Sequence, residues 1–192
     1  MSATTTILEL AAAAPEGTVF TPKGLLHLGS RASIDQALSR LVRAGALLRV
    51  GRGVYVRPVE SRFGRHAPAA ETVARGLGRA LGETVVPSGA AEANALGLST
   101  QVPVREIFLT SGRNRRLQLG RLQVEMRHAP GWQLHEAPVR ALASVGPSRA
   151  HEAAVHLRGR LSSTERTALW HSRAMMPTWM AQTVSEVFAA SV

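Results

Sequence analysis

The sequence predicts an α+β fold in two parts: a small N-terminal domain over residues 1–60 and a larger mixed α/β domain over 61–192 with a small sheet and several helices. Three observations carry that reading. Apolar residues recur at helical spacing through most of the first 44 residues and then alternate at strand spacing to Val56. "RPVESRFGRHAPA", with two prolines and little apolar content, reads as a linker near residues 58–68. From Pro138 onward the chain reads as consecutive helices, after a stretch of short strand patterns.

The first helix is expected over Thr4–Ala14, with Ile7, Leu8 and Leu10 toward a core and Pro15 closing it. "EGTVFT" supplies a short strand. Thr21 before Pro22 suits an N-cap and first helical position, opening a two-turn helix through Leu25, Leu26 and Leu28 to Gly29. After "GSRA", Ser33 with Gln36 three residues on makes a capping-box start for a third helix ending near Ala44, with Gly45 beyond it. Ile34, Ala37, Leu38 and Leu41 share one face of that helix; Ser33, Gln36, Ser39, Arg40 and Arg43 fall on the other. "ALLRV", "GRG" and "VYVRP" then read as two strands around a tight turn, decorated by Arg49, Arg52 and Arg57. Helix, turn, helix and hairpin in that order make a winged-helix pattern.

Past the linker, a helix is expected over Pro68–Leu81, with Val73, Leu77 and Leu81 at fourfold spacing, weakened by Gly76 and Gly78. "GLGRALG" inside it resembles a dinucleotide-binding glycine pattern only superficially, because no strand precedes it. "TVVPSG" is a short strand, and Ser88 caps a small helix through Leu96 that Gly97 stops. Val104–Leu109 is a further strand. Gly120 and Arg121 between "RLQL" and "LQVEMR" suit a two-residue hairpin, in which Leu117 faces Val124, Leu119 faces Leu122, and Arg116 lies opposite Glu125 on a polar face. Four helices follow: "PVRALASV", "SRAHEAAVHLRGRL", "STERTALWHSRAMM" and "PTWMAQTVSEVFAAS". The third starts at Ser163 with Arg166 or as a Ser162–Glu165 capping box, and Trp170 and Trp179 serve as core anchors.

Composition narrows the chemistry. The net charge is +10, and the basic excess is almost wholly arginine, Lys23 being the sole lysine. Codon bias accounts for arginine over lysine but not for the surplus of cations over acids. Arginine bonds phosphate bidentately and reads guanine edges, so a nucleic-acid partner is favoured. At 4% aromatic residues the chain lacks the stacking platform that single strands need, which points to duplex DNA. No cysteine is present, which excludes disulfides and thiolate metal sites and makes cytoplasmic residence the expectation. No membrane-spanning run occurs, and "LELAAAAPEG" is interrupted by Glu9 with no Lys or Arg before it, so no secretory signal is expected.

Catalysis, metal and cofactor are not expected. In "HEAAVH", His151 and His156 are five residues apart, roughly 140° around a helix, where two ligands on one face need four. A nuclease built from Glu106, Glu125 and Arg127 would lack its lysine, and arginine does not titrate near neutrality; Glu125 is expected to pair with an arginine instead. The candidate DNA-binding residues are Arg31, Ser33, Gln36, Ser39, Arg40 and Arg43 on the third helix and its approach, and Arg49 and Arg52 on the hairpin. Arg113, Arg115, Arg116 and Arg121 of "SGRNRRLQLGR" form a second phosphate-binding patch. Gln36 and Arg40 are expected to read bases, with Arg52 on the adjacent backbone or minor groove.

"VFTPKGLLHLGSRASIDQALSRLVRAGALLRVGRGVYVRP" resembles the N-terminal winged helix of AbiEi-type antitoxins, the regulator halves of type IV toxin–antitoxin pairs. "VPSGAAEANALGLSTQVPVREIFLTSGRNRRLQLGRLQVEMRHAP" is similar to the segment that follows it in one branch of that family. The resemblance implies a repressor acting on its own operon at inverted repeats and counteracting a nucleotidyltransferase-type toxin without necessarily binding it. Two other readings stay open: an ordinary winged-helix regulator with a ligand- or protein-binding C-terminal domain, and a nuclease guided by a winged helix.

Overall fold

The computed structural model describes residues 2–62, 64–100 and 105–189. It is a mixed α and β structure with small sheets, and it divides into two compact units. The first unit comprises Met1–Val85 and Arg105–Arg127, the second Val86–Val104 and His128–Val192. This division differs from the expected boundary at residue 60, for a reason that lies in the first unit's core.

Helix α1 (Ala3–Ala13) begins at Ser2, whose hydroxyl accepts the Thr5 N–H, and ends before Pro15. Of its expected core residues only Ile7 is buried. Leu8 and Leu10 stand 44% and 41% exposed, because Ala11, one turn beyond Ile7, completes the inward stripe. The two-turn helix expected after Thr21 does not form. Thr21 Oγ1 does accept the Gly24 N–H at 3.1 Å, but the segment runs as turns into a single 3₁₀ turn, Leu26–Leu28. With Gly24 inside it and Gly29 ending it, too few residues remain to offset helix nucleation.

Helix α2 (Arg31–Arg43) starts earlier than expected. Ser30, extended after Gly29, is the N-cap and accepts the Ser33 N–H at 3.3 Å, which puts Ser33 inside the first turn. Ile34, Ala37, Leu38 and Leu41 are buried as expected, and Gly45, at φ +70°, ends the helix.

Strands β1 (Val19–Phe20), β2 (Leu48–Gly51) and β3 (Val54–Val56) form an antiparallel sheet in the order β1-β3-β2. All three β3 residues are buried, so both faces of that strand are covered. Tyr55 joins a cluster with Ile7, Phe20, Ile34, Leu38, Leu41 and Leu47. Val54 and Val56 point the other way, into a cluster with Val73, Leu77, Phe108, Leu117, Val124 and Met126. The second face of this small sheet is therefore closed by residues beyond 60.

The expected linker is instead a hairpin of β4 (Val59–Ser61) and β5 (Gly64–His66), in which Glu60 faces Arg65 and pairs with it. Helix α3 (Ala70–Leu81) buries Val73 and Leu77 and leaves Leu81 exposed. Its glycines are close-approach positions. A Cβ on Gly76 would overlap the Gly17 carbonyl oxygen, and one on Gly78 would sit 2.7 Å from the Glu83 carbonyl oxygen.

Strands β6 (Val85–Pro87), β7 (Glu106–Thr110), β8 (Arg115–Leu119) and β9 (Leu122–His128) form a four-stranded sheet in the order β6-β7-β9-β8. The expected register of the last hairpin is borne out at Leu117–Val124, Leu119–Leu122 and Arg116–Glu125. The polar face is not wholly wet, since Glu125 is buried. The strand expected from Val104 is described from Glu106; Val104 lies outside the described residues.

In the second unit, α4 (Gly89–Ala95) is capped by Ser88 and followed by Gly97 at φ +73°. It lies against α5 (Ala137–Val145), close enough that a Cβ on Gly89 would overlap the Arg140 carbonyl oxygen. Arg140 is buried and bonds Glu92 at 2.6 Å. Helices α6 (Ala150–Arg160), α7 (Ser163–His171) and α8 (Thr178–Phe188) complete a core of Val139, Leu142, Leu157, Leu169, Met180 and Phe188. The α7 start is the Ser162–Glu165 capping box, whose bonds from Ser162 hold the Glu165 carboxyl below its usual range. Trp170 and Trp179 pack partly buried against this core. Among the described residues no helix is long and apolar enough to cross a membrane.

Candidate nucleic-acid interface

The exposed side of α2 follows from its buried one. At about 100° per residue, Gln36, Ser39 and Arg43 lie near the outward pole, Ser33 and Arg40 on one flank, and Arg31 and Asp35 on the other. Ser33, Gln36, Ser39, Arg40 and Arg43 are all exposed. Ser39 donates its hydroxyl to the Asp35 carbonyl at 2.8 Å, and Arg31 bonds the Asp35 carboxylate at 2.8 Å.

The flank bearing Arg31, Asp35 and Ser39 faces the β2–β3 hairpin across a groove of about 600 Å³, which Arg49, Arg52 and Tyr55 line from the hairpin side. Gly53 adopts φ +69° at the turn and so lets Arg52 stand at its tip. Arg113 lines the same groove. A second groove of about 770 Å³ shares Arg31, Arg52 and Arg113 with the first, adds Lys23, Arg115 and Arg116, and is also lined by Leu77, Leu81 and Leu117. The helix, the hairpin and the segment before β8 thus contribute to one basic surface within a single compact unit. Ser33, Gln36, Arg40 and Arg43 line neither groove and present the free side of α2. Arg121, at the far turn of the β8–β9 hairpin, also lines neither.

Among the described residues, Lys23, Arg40, Arg43, Arg49, Arg52, Arg113, Arg116 and Arg121 form no ion pair with a carboxylate. Arg115 differs from its neighbours. Its guanidinium grips Glu83 through two bonds of 2.6 and 2.7 Å, and both side chains are only 16% exposed, so it is held as a structural partner. Glu125 accepts from Arg127 at 2.6 Å and lies 3.5 Å from Arg105, which answers the expectation of an arginine partner. The Arg127 hydrogen bonds, aided by the nearby charges of Arg127, Arg105 and Arg116 and opposed by burial, hold its carboxyl below the usual range.

Sequence reasoning passed over Lys23, Asp35 and Tyr55 as groove residues. Asp35 carried a signal, standing four residues after Arg31 on the polar flank of the helix. Lys23 lay in a segment read as helix, and Tyr55 in a strand read only for its apolar alternation. Among the described residues no group of three His, Asp or Glu side chains is placed to hold a metal ion. His151 instead faces Glu186 at 3.7 Å, and His156 lies 3.5 Å from Arg160.

No curated protein matches this sequence. A family model does match, over residues 6–152, a span that takes in the whole basic surface: the chain belongs to a family of unknown function, DUF6088.

Proposed function

We propose that the chain is a winged-helix protein that binds duplex DNA through α2 and the β2–β3 hairpin. Helix α2 enters the major groove with Gln36 at its outward pole and Arg40 and Arg43 beside it; Arg52 reaches the flanking backbone or minor groove; Arg113 and Arg116 meet further phosphates. The observation that carries this reading is the convergence of Lys23, Arg49, Arg52, Arg113 and Arg116, none of them paired with a carboxylate among the described residues, on the two adjoining grooves beside α2. Cations set along adjoining grooves in this way suit a track of phosphates.

On this reading the protein works without catalysis or cofactor, in the cytoplasm where its DNA lies. The resemblance to AbiEi-type antitoxins supports a narrower role: repression of its own operon at inverted repeats, opposite a nucleotidyltransferase-type toxin. Footprinting the chain on the DNA upstream of its own coding sequence tests the core of the proposal. Protection of a discrete site is expected, and Arg49→Ala with Arg52→Ala should weaken binding to all sequences and flatten the salt dependence by about 2 in log–log slope. Absence of duplex binding even at low salt overturns it.

A further inference from the structure

We propose that Glu83 is a positioning residue for the flanking DNA contact, holding residues 110–116 so that Arg113 and Arg116 face the groove they share with Arg52. This inference rests on the DNA-binding reading above.

The device begins at the end of α3. Gly82, at φ +68°, closes the helix with its N–H on the Arg79 carbonyl, and the Glu83 N–H bonds the Gly78 carbonyl at 2.8 Å. This is a Schellman ending, and it fixes the Glu83 backbone to the helix. The carboxylate then reaches across to the segment between β7 and β8. Its Oε1 accepts from Arg115 Nη2 at 2.7 Å, and its Oε2 accepts from Arg115 Nη1 at 2.6 Å and from the fully buried Thr110 hydroxyl at 3.1 Å. Thr110 Oγ1 in turn accepts the Gly112 N–H at 3.1 Å, and Arg115 Nη1 also donates to the Arg113 carbonyl at 3.1 Å. A second strap joins Thr84 and Ser111, each backbone N–H bonded to the other residue at 3.0 and 3.1 Å. The segment carrying Arg113 is therefore tied to α3 by charge-assisted bonds largely removed from water, the strongest kind available to it.

Gly112 completes the arrangement. A Cβ there would overlap the Glu83 carboxylate, so the acid occupies the space that only glycine leaves open.

Positioning and simple electrostatics make opposite predictions. A carboxylate beside a phosphate site repels DNA, so Glu83→Gln should tighten binding if charge alone counts. If Glu83 holds the loop, the same change should weaken it. Gly112→Ala supplies a variant with every charge intact, in which the added methyl displaces the Glu83 carboxylate and opens the clamp.

The full-length chain is titrated into a fluorescein-labelled 30-base-pair duplex from its own upstream region, and into a scrambled duplex, across a series of salt concentrations. Far-UV circular dichroism and a urea midpoint verify folding. Glu83→Gln and Gly112→Ala are each expected to weaken binding to both duplexes and to flatten the log–log salt slope by about 1 to 2, as Arg113→Ala with Arg116→Ala does. Adding Glu83→Gln to that double variant should change nothing further. Either clamp variant binding as tightly as wild type with an unchanged slope overturns the positioning role alone. A wild-type chain that binds neither duplex overturns the DNA reading on which it rests.

Discussion

Gln36 and the three arginines before and within β8 show how much a single residue's partners decide. Gln36 stands at the outward pole of α2, and a glutamine pairs bidentately with adenine, so Gln36→Ala is expected to cost about 1–3 kcal/mol on the cognate duplex and much less on random DNA. Fluorescence anisotropy on the two duplexes measures this, and equal losses on both would make Gln36 a backbone contact. Arg113, Arg115 and Arg116 are indistinguishable as sequence, yet Arg115 closes on an acid 32 residues away. Arg115→Ala should therefore act on stability, lowering it by about 3 kcal/mol in urea unfolding through the charge left behind on Glu83, whereas Arg116→Ala should leave stability almost unchanged. Glu125 gives a pH signature. Because Arg127 holds its carboxyl's folded-state pKa below the unfolded value of about 4.5, its stabilising contribution is complete above that pH and disappears as pH falls further. Urea midpoints for Glu125→Gln should accordingly lose part of the wild type's decline below about pH 4.5; an identical decline would remove Glu125 from the acid response.

At the scale of elements, helix α3 and helix α6 offer a paired test of what glycine does. In an exposed helix, glycine to alanine stabilises by roughly 0.5–1 kcal/mol, which is the outcome expected for Gly159→Ala on α6, where an added Cβ meets nothing. Gly76→Ala on α3 should do the reverse and destabilise by about 1–3 kcal/mol, since its Cβ would overlap the Gly17 carbonyl. Thermal melts of the two variants against wild type decide it; a stabilised Gly76→Ala would mean that the α3–Gly17 approach is looser than it stands. Sequence periodicity exposed α2 and the β8–β9 hairpin, because each sets apolar residues against polar ones at the spacing of its own backbone. It failed over residues 59–66 for the same reason. Among the described residues here Glu60, Ser61, Gly64, Arg65 and His66 are exposed and give no inward-facing row to read, while the two strands pair through their backbones and Glu60 bridges Arg65. The segment after Thr21 displayed a cap and three leucines, but helix nucleation needs more length than Gly24 and Gly29 allow.

For the molecule as a whole, the first compact unit is discontinuous in sequence, and this governs how it can be cut. A fragment of residues 1–60 would carry α1, α2 and the three-stranded sheet but would expose Val19, Val50, Val54 and Val56, whose cover comes from α3 and the β8–β9 hairpin. Such a fragment is expected to lack a cooperative thermal transition, measured by circular dichroism; a sharp transition close to that of the full chain would restore the boundary at residue 60. The amino-acid order by itself determined the cationic excess, the buried and polar faces of α2, the cap of α4, the register of β8 with β9 and the helical character of the C-terminal part. Each of these depends on residues within a turn or a hairpin of one another, where backbone geometry dictates who meets whom. Tertiary structure alone decided which arginines remain without acids, why α3 carries glycines and where the first core ends. Those outcomes hinge on partners dozens of residues apart, and the distances between them exist only once the chain has packed.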